Sequence, residues 1–387
     1  MSFFKDRNCY MKNYNLSLKE KWAGFNGQLL FFICLVVGIS LGVLYSVGGG
    51  EWSRWASNQA IRFVISLMAL LVISFINLRL FMKYAYWIYG LTLVMLIAVL
   101  LFGHVGMGAQ RWLNLGFMKV QPSECMKIAL ILALARYFHG ASLDEVRTNK
   151  FLIPPVLMMV VPVLLILKQP DLGTAMMLVF ETVAIFFLVG VQFWKFILGI
   201  ILSTISLPLI WANLHDYQKK RVLTFLNPES DPQGAGYHIT QSKITLGSGG
   251  FWGKGFMEGT QSRLSFIPEK QTDFIFTVLA EEFGLLGSLI LYTLYMIIIG
   301  YGIVIALKCT NFFGKILALG LTVNFALYVF MNIGMVMGLM PVVGVPLPLM
   351  SYGGTAMMTL FIGFGLIESV AINKEMVIGR LGSIDDE

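Results

Sequence analysis

Residues 316–367 read ILALGLTVNFALYVFMNIGMVMGLMPVVGVPLPLMSYGGTAMMTLFIGFGLI, a run that contains no Asp, Glu, Lys or Arg. A helix needs about 20 apolar residues to cross the hydrocarbon core of a bilayer, so this run is too long for one crossing. Three prolines, Pro341, Pro346 and Pro348, interrupt it near its middle, where they disfavour a continuous helix. The run therefore predicts two membrane-spanning helices, at 316–339 and 350–367.

Other parts of the chain repeat this pattern. Six further segments lack charged residues and are long enough, or nearly long enough, to cross a bilayer: 22–50, 63–78, 84–103, 151–167, 196–214 and 283–307. Two more apolar segments carry charges inside them, Glu124 and Lys127 in 122–138 and Glu181 in 172–193. The sequence thus predicts an all-α membrane protein with ten transmembrane helices. A large extracytoplasmic loop, 215–273, would join the seventh helix to the eighth.

The composition agrees with a membrane protein and excludes a soluble one. Hydrophobic residues make up 57% of the 387 residues and charged residues only 13%, too few to cover a water-exposed surface. The mean hydropathy is +0.77. The net charge of +7 indicates loops near anionic lipid rather than nucleic-acid binding. The four cysteines form no CxxC pair, and the sequence has no GxxxxGK[ST] or HExxH motif.

The orientation follows from the distribution of Lys and Arg, which favour cytoplasmic loops. With an even number of crossings, both termini lie on the same side. Placing them in the cytoplasm puts the basic N-terminal residues inside, namely Lys5, Arg7, Lys12, Lys19 and Lys21. We therefore predict an inner-membrane protein with a membrane domain at 22–375, cytoplasmic tails at 1–21 and 376–387, and the long loop in the periplasm.

The long loop 215–273 is rich in basic residues and glycine. It could be a flexible connector whose cations touch lipid headgroups. It could also be a lid that binds an anionic headgroup, because its glycines would let backbone N–H groups approach a ligand closely. The candidate ligand-binding cations under the second interpretation are Arg221, Lys243, Lys254, Arg263 and Lys270.

Asp273 ends this loop, immediately before the apolar run that begins FIFTVLA. A carboxylate at the membrane boundary is a functional candidate by default. The alternative is structural, because Asp near a helix start can cap free N–H groups and favours the helix dipole. The pattern alone leaves both interpretations open.

Glu124 and Lys127 are three residues apart and share one face of the predicted helix 122–138. Both would be costly against lipid, so they point into the bundle or into a wet cavity. They could form a structural ion pair or line a site for a polar headgroup. Residues nearby could add donors to such a site: Gln121, Ser123 and Arg111.

Asp171 lies in a further polar turn, 168–174, and is either a cap of the sixth helix or part of the same site. The predicted topology brings this turn, residues 111–127 and residues 261–273 to the outer side of the membrane. A lipid-linked anionic substrate would be handled there.

These stretches resemble the SEDS family (shape, elongation, division and sporulation). The resemblance covers about residues 25–370 and rests on GAQRWLNLG, QPSE followed by Lys127, QPDLGT, NPESDPQGAGYHI, PEKQTDFIF and SYGGT. The division branch, FtsW, shares QPSE, TDFIF and SYGGT. The segments VVGVPLP and NPESDPQGAGYHI are more similar to the elongation branch.

The resemblance implies a peptidoglycan glycosyltransferase that polymerises lipid II into β-1,4-linked glycan during cell elongation. It also implies that Asp273 is the catalytic residue and that Glu124 and Lys127 line a cavity beside it. The implied partners are a class B penicillin-binding protein (penicillin-binding protein 2) and the elongation proteins MreB, MreC and MreD. A lipid II flippase and an anchoring scaffold are the alternatives. A divalent cation, Mg or Mn, could share in charge stabilisation, although no ligand cluster in the sequence indicates one.

Overall fold

The structure is a computed structural model of the chain. It describes residues 16–106, 109–114, 116, 119–213, 216–227, 231, 234–263, 269–342, 344–376, 378 and 379. Most of both predicted tails therefore lies outside the described residues.

Helices dominate the described chain. They are α1 (Leu18–Gly24), α2 (Gly27–Val47), α3 (Ala56–Ser74), α4 (Leu78–Phe102), α5 (Pro122–Phe138), α6 (Leu143–Arg147), α7 (Asn149–Lys168), α8 (Leu172–Val189), α9 (Phe193–Asn213), α10 (Asp216–Leu226), α11 (Ala235–Ser248), α12 (Thr260–Arg263), α13 (Ile275–Lys308), α14 (Phe312–Val336) and α15 (Gly354–Ile372).

Each of the ten predicted segments overlaps a helix of the structure. Within the described residues, eight helices are long and apolar enough to cross a membrane: α2, α3, α4, α7, α8, α13, α14 and α15. The multi-pass prediction is confirmed at this level. The two remaining segments correspond to α5 and α9, and the total of ten crossings stays a prediction.

Several predicted boundaries are wrong because charges were assumed to end a span, and two of them show the physical reason. Helix α3 begins seven residues before position 63 and includes Arg62, whose guanidinium carbon lies 4.3 Å from the centre of the Tyr352 ring. Helix α15 continues past position 367 and includes Glu368, whose carboxylate accepts a hydrogen bond from the backbone of Asn26 at 2.9 Å. Both charged groups have partners inside the protein, so neither faces lipid.

The helical fold class is confirmed, with one short connection that contains strands. Strands β1 (His104–Gly106), β2 (Ala109–Asn114) and β3 (Lys119–Val120) form a small antiparallel sheet in the order β1-β2-β3 between α4 and α5. Antiparallel pairing satisfies backbone groups of this connection.

Helix α5 lies in the centre of the bundle. It packs against α4, α7, α8, α14 and α15, and nearly all of its side chains are buried, on every face. A helix surrounded by protein has no lipid-facing side, so polar residues on it can only meet other helices. This position explains how a predicted span can carry internal charges.

The connection between α14 and α15 is non-helical, yet its second half, 345–351, is mostly buried within the bundle. Its polar groups are paired: the Ser351 hydroxyl donates to the Thr272 carbonyl at 2.6 Å and accepts from the Leu347 amide at 2.7 Å. The Tyr295 hydroxyl donates to the Pro348 carbonyl at 2.7 Å. Irregular backbone is tolerated at such depth only where protein groups satisfy it.

The described part of the long loop is folded, because α11 packs against α13 and α14. The Ser242 hydroxyl of α11 donates to the Val336 carbonyl at 2.7 Å. After α11 the chain runs against a kink in α13, where Gly284 has φ 65° and ψ −159°. The amide of Leu285 donates to the Gly250 carbonyl at 3.0 Å. The loop is thereby fixed to the start of α13.

The glycines of this segment serve a different purpose from the one expected. A Cβ at Gly249 would lie 3.0 Å from the Ala280 carbonyl carbon, and one at Gly253 would lie 2.7 Å from the Gly284 nitrogen. These glycines therefore let the loop backbone touch the α13 backbone. At Gly249 and Gly253, the missing side chain makes room for the α13 backbone rather than for a ligand.

We expect Gly284→Ala to destabilise the protein, since its positive φ is strained for Ala and the new methyl group would lie 2.6 Å from the Phe251 carbonyl oxygen. The thermal midpoint of the purified protein in detergent should fall by several degrees. Gly300→Ala is the matched control, because it lies in the same helix with nothing within 4 Å of the added Cβ. A similar fall in both variants would contradict this account of the kink.

Candidate functional site

A buried charge cluster lies near the start of α5 and consists of Glu124, Lys127 and Tyr328. The Lys127 ammonium lies 2.7 Å from Glu124 Oε1. The Tyr328 hydroxyl accepts a hydrogen bond from this ammonium and donates one to Glu124 Oε2. The ammonium also lies 4.0 Å from the centre of the Tyr328 ring. Each member of the buried charge cluster thus contacts the other two.

Burial makes these contacts necessary. Glu124 is 5% exposed, Lys127 1% and Tyr328 1%. An ion taken out of water loses several kcal/mol of solvation, which only close pairing and hydrogen bonding return. The position of Glu124 in α5 stabilises its charge further. Pro122 begins the helix and Glu124 lies in the same first turn, where the helix dipole favours a negative charge.

Asp171 organises a second polar group beside this one. It is the N-cap of α8, and its carboxylate accepts hydrogen bonds from the Thr174 hydroxyl at 2.9 Å and the Thr174 amide at 3.4 Å. The Gln121 side chain donates to Asp171 Oδ2 at 3.2 Å, and Arg111 Nε lies 3.9 Å from the same oxygen. The capping interpretation of Asp171 is therefore correct, and the same carboxylate also joins residues 111–121 to the polar turn 168–174.

Arg111 stands on β2 and remains partly open to solvent, with 24% of its side chain exposed. Its guanidinium also donates to the carbonyl of Pro170. Ser123 is 1% exposed, and its hydroxyl has no hydrogen-bond partner among the described residues.

Helix α14 connects Asp273 to the buried charge cluster. The Asn332 side chain donates to the backbone carbonyl of Asp273 at 2.8 Å and to that of Val345 at 2.7 Å. Asn332 and Tyr328 are four residues apart, so they stand on one face of α14, about 5–6 Å from each other. The Asp273 backbone and the Glu124–Lys127 pair are therefore contacted by side chains of α14 that lie one helical turn apart.

The Asp273 carboxylate lies outside α13, whose N-cap is Phe274. Asp273 thus precedes the N-cap by one residue, and its structural role at the helix start stays a prediction beside its functional one. Asp273 Oδ2 would lie 3.5 Å from a Cβ placed on Gly344, a glycine with φ +72° in the α14–α15 connection. The carboxylate is half-buried and borders this glycine backbone.

The SYGGT segment joins the remaining parts of the site. The Tyr352 amide donates to the Gln271 carbonyl at 2.8 Å, two residues before Asp273. The Thr355 hydroxyl donates to the Lys119 carbonyl at 3.0 Å, next to Gln121. The start of α15 therefore contacts both the Asp273 turn and the segment that leads into α5.

The loop cations have separate environments. Lys254 forms an ion pair with Glu281 at 2.7 Å, and Lys243 packs its stem against Gly338. Burial, and to a lesser degree the positive charge of Arg54, lower the pKa of the half-buried Lys270 ammonium. Arg221 and Arg263 belong to α10 and α12, and their side chains lie outside the described part of the chain.

Metal ligands are sparse in the part of the chain that the structure describes. No three His, Cys, Asp or Glu side chains there are grouped as a metal site requires. The described residues thus offer no protein cage for Mg or Mn.

Several residues of this site were missed by the sequence analysis. Tyr328 and Asn332 lie in the charge-free run that was treated as a plain span, and Arg62 was counted only as a topology signal. A signal was present, because Asn324, Tyr328 and Asn332 recur every four residues along α14 and all three are buried. A polar stripe at this spacing marks the side of a helix that faces other protein.

Comparison with known proteins identifies the family. The family model of the FtsW, RodA and SpoVE cell cycle proteins matches residues 23–376. The chain belongs to this family. The peptidoglycan glycosyltransferase MrdB of Escherichia coli K12 is 42% identical to it over 360 residues, which cover 90% of this chain and 94% of MrdB.

Solved structures of the family share the fold. A chain of a peptidoglycan synthase complex, studied for its coordination of polymerization and crosslinking, superposes with a TM-score of 0.81. It is 29% identical, over 91% of this chain and 99% of its own length. The rod shape determining protein RodA of Thermus thermophilus superposes with a TM-score of 0.69 at 25% identity, over 92% of this chain and 99% of its own.

We expect Tyr328→Phe to weaken the buried charge cluster, because the ammonium and the carboxylate each lose a hydrogen bond where no water replaces it. Such a loss costs about 1–3 kcal/mol, so the thermal midpoint should fall measurably. Tyr301→Phe is the control, since its exposed hydroxyl contacts only Gln28 in the described structure. Equal midpoints for the two variants would mean that the Tyr328 hydroxyl is not a structural member of the cluster.

Proposed function

We propose that the protein is a peptidoglycan glycosyltransferase that polymerises lipid II during cell elongation. The observation that carries this proposal is that α14 contacts both places, the Asp273 backbone through Asn332 and the Glu124–Lys127 pair through Tyr328. The 42% identity to MrdB over nearly the whole chain supports the same activity and the elongation branch.

The reaction joins two lipid-linked sugars. The 4-hydroxyl of GlcNAc on lipid II attacks the anomeric carbon at the reducing end of the growing glycan. The C–O bond to undecaprenyl pyrophosphate breaks, and direct displacement inverts the centre to give a β-1,4 link. Asp273 takes the hydroxyl proton as general base, because it is a half-buried carboxylate beside the exposed backbone of Gly344.

The departing pyrophosphate needs positive charge. Arg111 is suited to this task, since its guanidinium is partly exposed at the edge of the site. Lys270 precedes Asp273 by three residues and adds a second cation, with Lys243 on the exposed face of α11. Arg221 and Arg263 remain candidates on sequence grounds.

Other residues act from within the protein. Lys127 is too buried to meet the headgroup first, so it stabilises Glu124, and Asp171, Gln121 and Ser123 shape the wall beside that pair. Lys254 holds the loop through Glu281, so we reassign it from ligand binding to positioning the loop.

The membrane arrangement follows from the same interpretation. The chain crosses the bacterial inner membrane ten times, with α5 and α9 added to the eight apolar helices. Both termini are cytoplasmic, the membrane domain is 22–375, and the site opens to the periplasm, where lipid II is polymerised. The excess of Lys and Arg on the cytoplasmic side supports this orientation.

The proposed partner is a class B penicillin-binding protein, whose transpeptidase crosslinks the new strands. The fold shared with a chain of a peptidoglycan synthase complex supports such a partnership. MreB, MreC and MreD complete the proposed elongation complex. As the alternative to its role as general base, Asp273 would hold a divalent cation, which would supply positive charge for the departing pyrophosphate.

We expect Asp273→Asn to lose polymerisation by about 10²–10⁴-fold, the usual contribution of a general base. Purified protein would be given fluorescent lipid II, and glycan strands would be resolved on a gel. Asp144→Asn is the matched control, because the Asp144 side chain is 96% exposed. It belongs to α6, which follows the end of α5 opposite to Glu124. Wild-type product lengths from Asp273→Asn would remove the base assignment.

A transporter with the same fold would behave differently. Lipid II would be supplied on the exposed face of proteoliposomes without an ion gradient, with and without a class B penicillin-binding protein. We expect β-1,4-linked polymer and release of undecaprenyl pyrophosphate. Movement of lipid II across the bilayer without polymer would contradict the enzyme proposal and favour a flippase.

A further inference from the structure

Glu181 is a fully buried carboxylate for which the proposed mechanism has no use. It lies in the middle of α8 and is 1% exposed. Neither of its carboxylate oxygens has a hydrogen-bond partner among the described residues. A buried acid without a partner is costly, so its presence in a packed helix calls for a compensating role.

The neighbours of Glu181 belong to the buried charge cluster. Helix α8 packs against both α5 and α14. A Cβ on Gly320 of α14 would lie 2.7 Å from Ile131 of α5 and 3.4 Å from Ile185 of α8, and Lys127 and Glu181 stand one turn before these two isoleucines on the same helix faces. Two carboxylates, those of Glu124 and Glu181, therefore lie near a single ammonium, that of Lys127. At present the ammonium contacts only Glu124 of the two.

This imbalance matters if Glu124 changes partners during the reaction. Under the proposed function, Glu124 lines the substrate cavity. Turning its carboxylate toward a substrate would leave the Lys127 ammonium with the neutral Tyr328 hydroxyl alone. An ammonium at 1% exposure cannot recover solvation from water, so it needs a second counter-charge within reach of its flexible stem.

We propose that Glu181 is a positioning residue that serves as the second counter-charge of Lys127. The ammonium contacts Glu124 in the resting site and Glu181 when Glu124 engages the substrate. This inference rests on the proposed function only for what releases Glu124. The pairing itself is a property of the folded chain.

A thermal-stability cycle on the purified full chain tests the pairing without any substrate. The variants are Glu124→Gln, Glu181→Gln and the two together. We expect each single change to lower the thermal midpoint only slightly, because the other carboxylate still neutralises Lys127. The double change should lower it by several degrees more than the sum, because it strands a buried ammonium.

Adding Lys127→Met to the double variant should restore most of that loss, since the stranded charge is then gone. Thr182→Val is the matched control, because Thr182 is equally buried in α8 but its hydroxyl contacts only the Leu178 carbonyl of its own helix. It should show no coupling with Glu124→Gln. Additive midpoints in the Glu124–Glu181 cycle, or no recovery with Lys127→Met, would overturn the proposal.

An activity measurement separates this proposal from the proposed function. We expect Glu181→Gln to slow glycan polymerisation about tenfold. Glu181→Asp should recover part of the rate, and the control Thr182→Val should polymerise at the wild-type rate. If the Glu124 and Glu181 substitutions are coupled in stability but the protein makes no glycan, only the proposed glycosyltransferase function is refuted. A wild-type polymerisation rate in Glu181→Gln would refute the role of Glu181 as the second counter-charge of Lys127.

Discussion

The contact between the Lys127 ammonium and the Glu124 carboxylate constrains the rest of the bundle. Two ions at the centre of a membrane protein are tolerated only where other helices complete their hydrogen bonds. Helix α14 supplies the Tyr328 hydroxyl, and α15 places the Thr359 hydroxyl 3.5 Å from Glu124. The three most buried helices, α5, α14 and α15, are therefore also the ones that meet at this pair. Stability and function have the same requirement here, because the helices that neutralise the ions also carry Asn332, which holds the Asp273 backbone.

The sequence predicted the helices well and their limits less well. Each segment without charges proved helical, because apolar side chains have no better environment than lipid or other helices. The boundaries at Arg62 and Glu368 were misplaced because both charges find partners inside the bundle, which a one-dimensional pattern does not reveal. The strands between α4 and α5 were missed for a related reason. Their pairing is local and irregular, and it depends on where the two flanking helices begin and end.

Within the site, the chemistry of single residues was predictable but their partners were not. Glu124, Lys127, Asp171 and Asp273 could be selected because charged side chains near a bilayer are rare. Tyr328 and Asn332 were not selected, because neutral polar residues are common in membrane spans. Their roles become evident only from their contacts with the Glu124–Lys127 pair and with the Asp273 backbone. Lys254 was selected as a ligand-binding cation, yet it pairs with Glu281 of α13. Gly249 and Gly253 of the glycine-rich segment let it approach α13, and the expected approach of this segment to a ligand stays a prediction.

The kink at Gly284 divides α13 into a short first part and a long second part. The first part follows directly on Asp273 and is fixed to the loop by the Lys254–Glu281 pair and by the backbone contacts at Gly249 and Gly253. The position of the first part of α13 therefore depends on the loop as well as on the long second part, because the chain bends between the two parts. Loss of the loop contacts would remove support from the backbone that leads into Asp273.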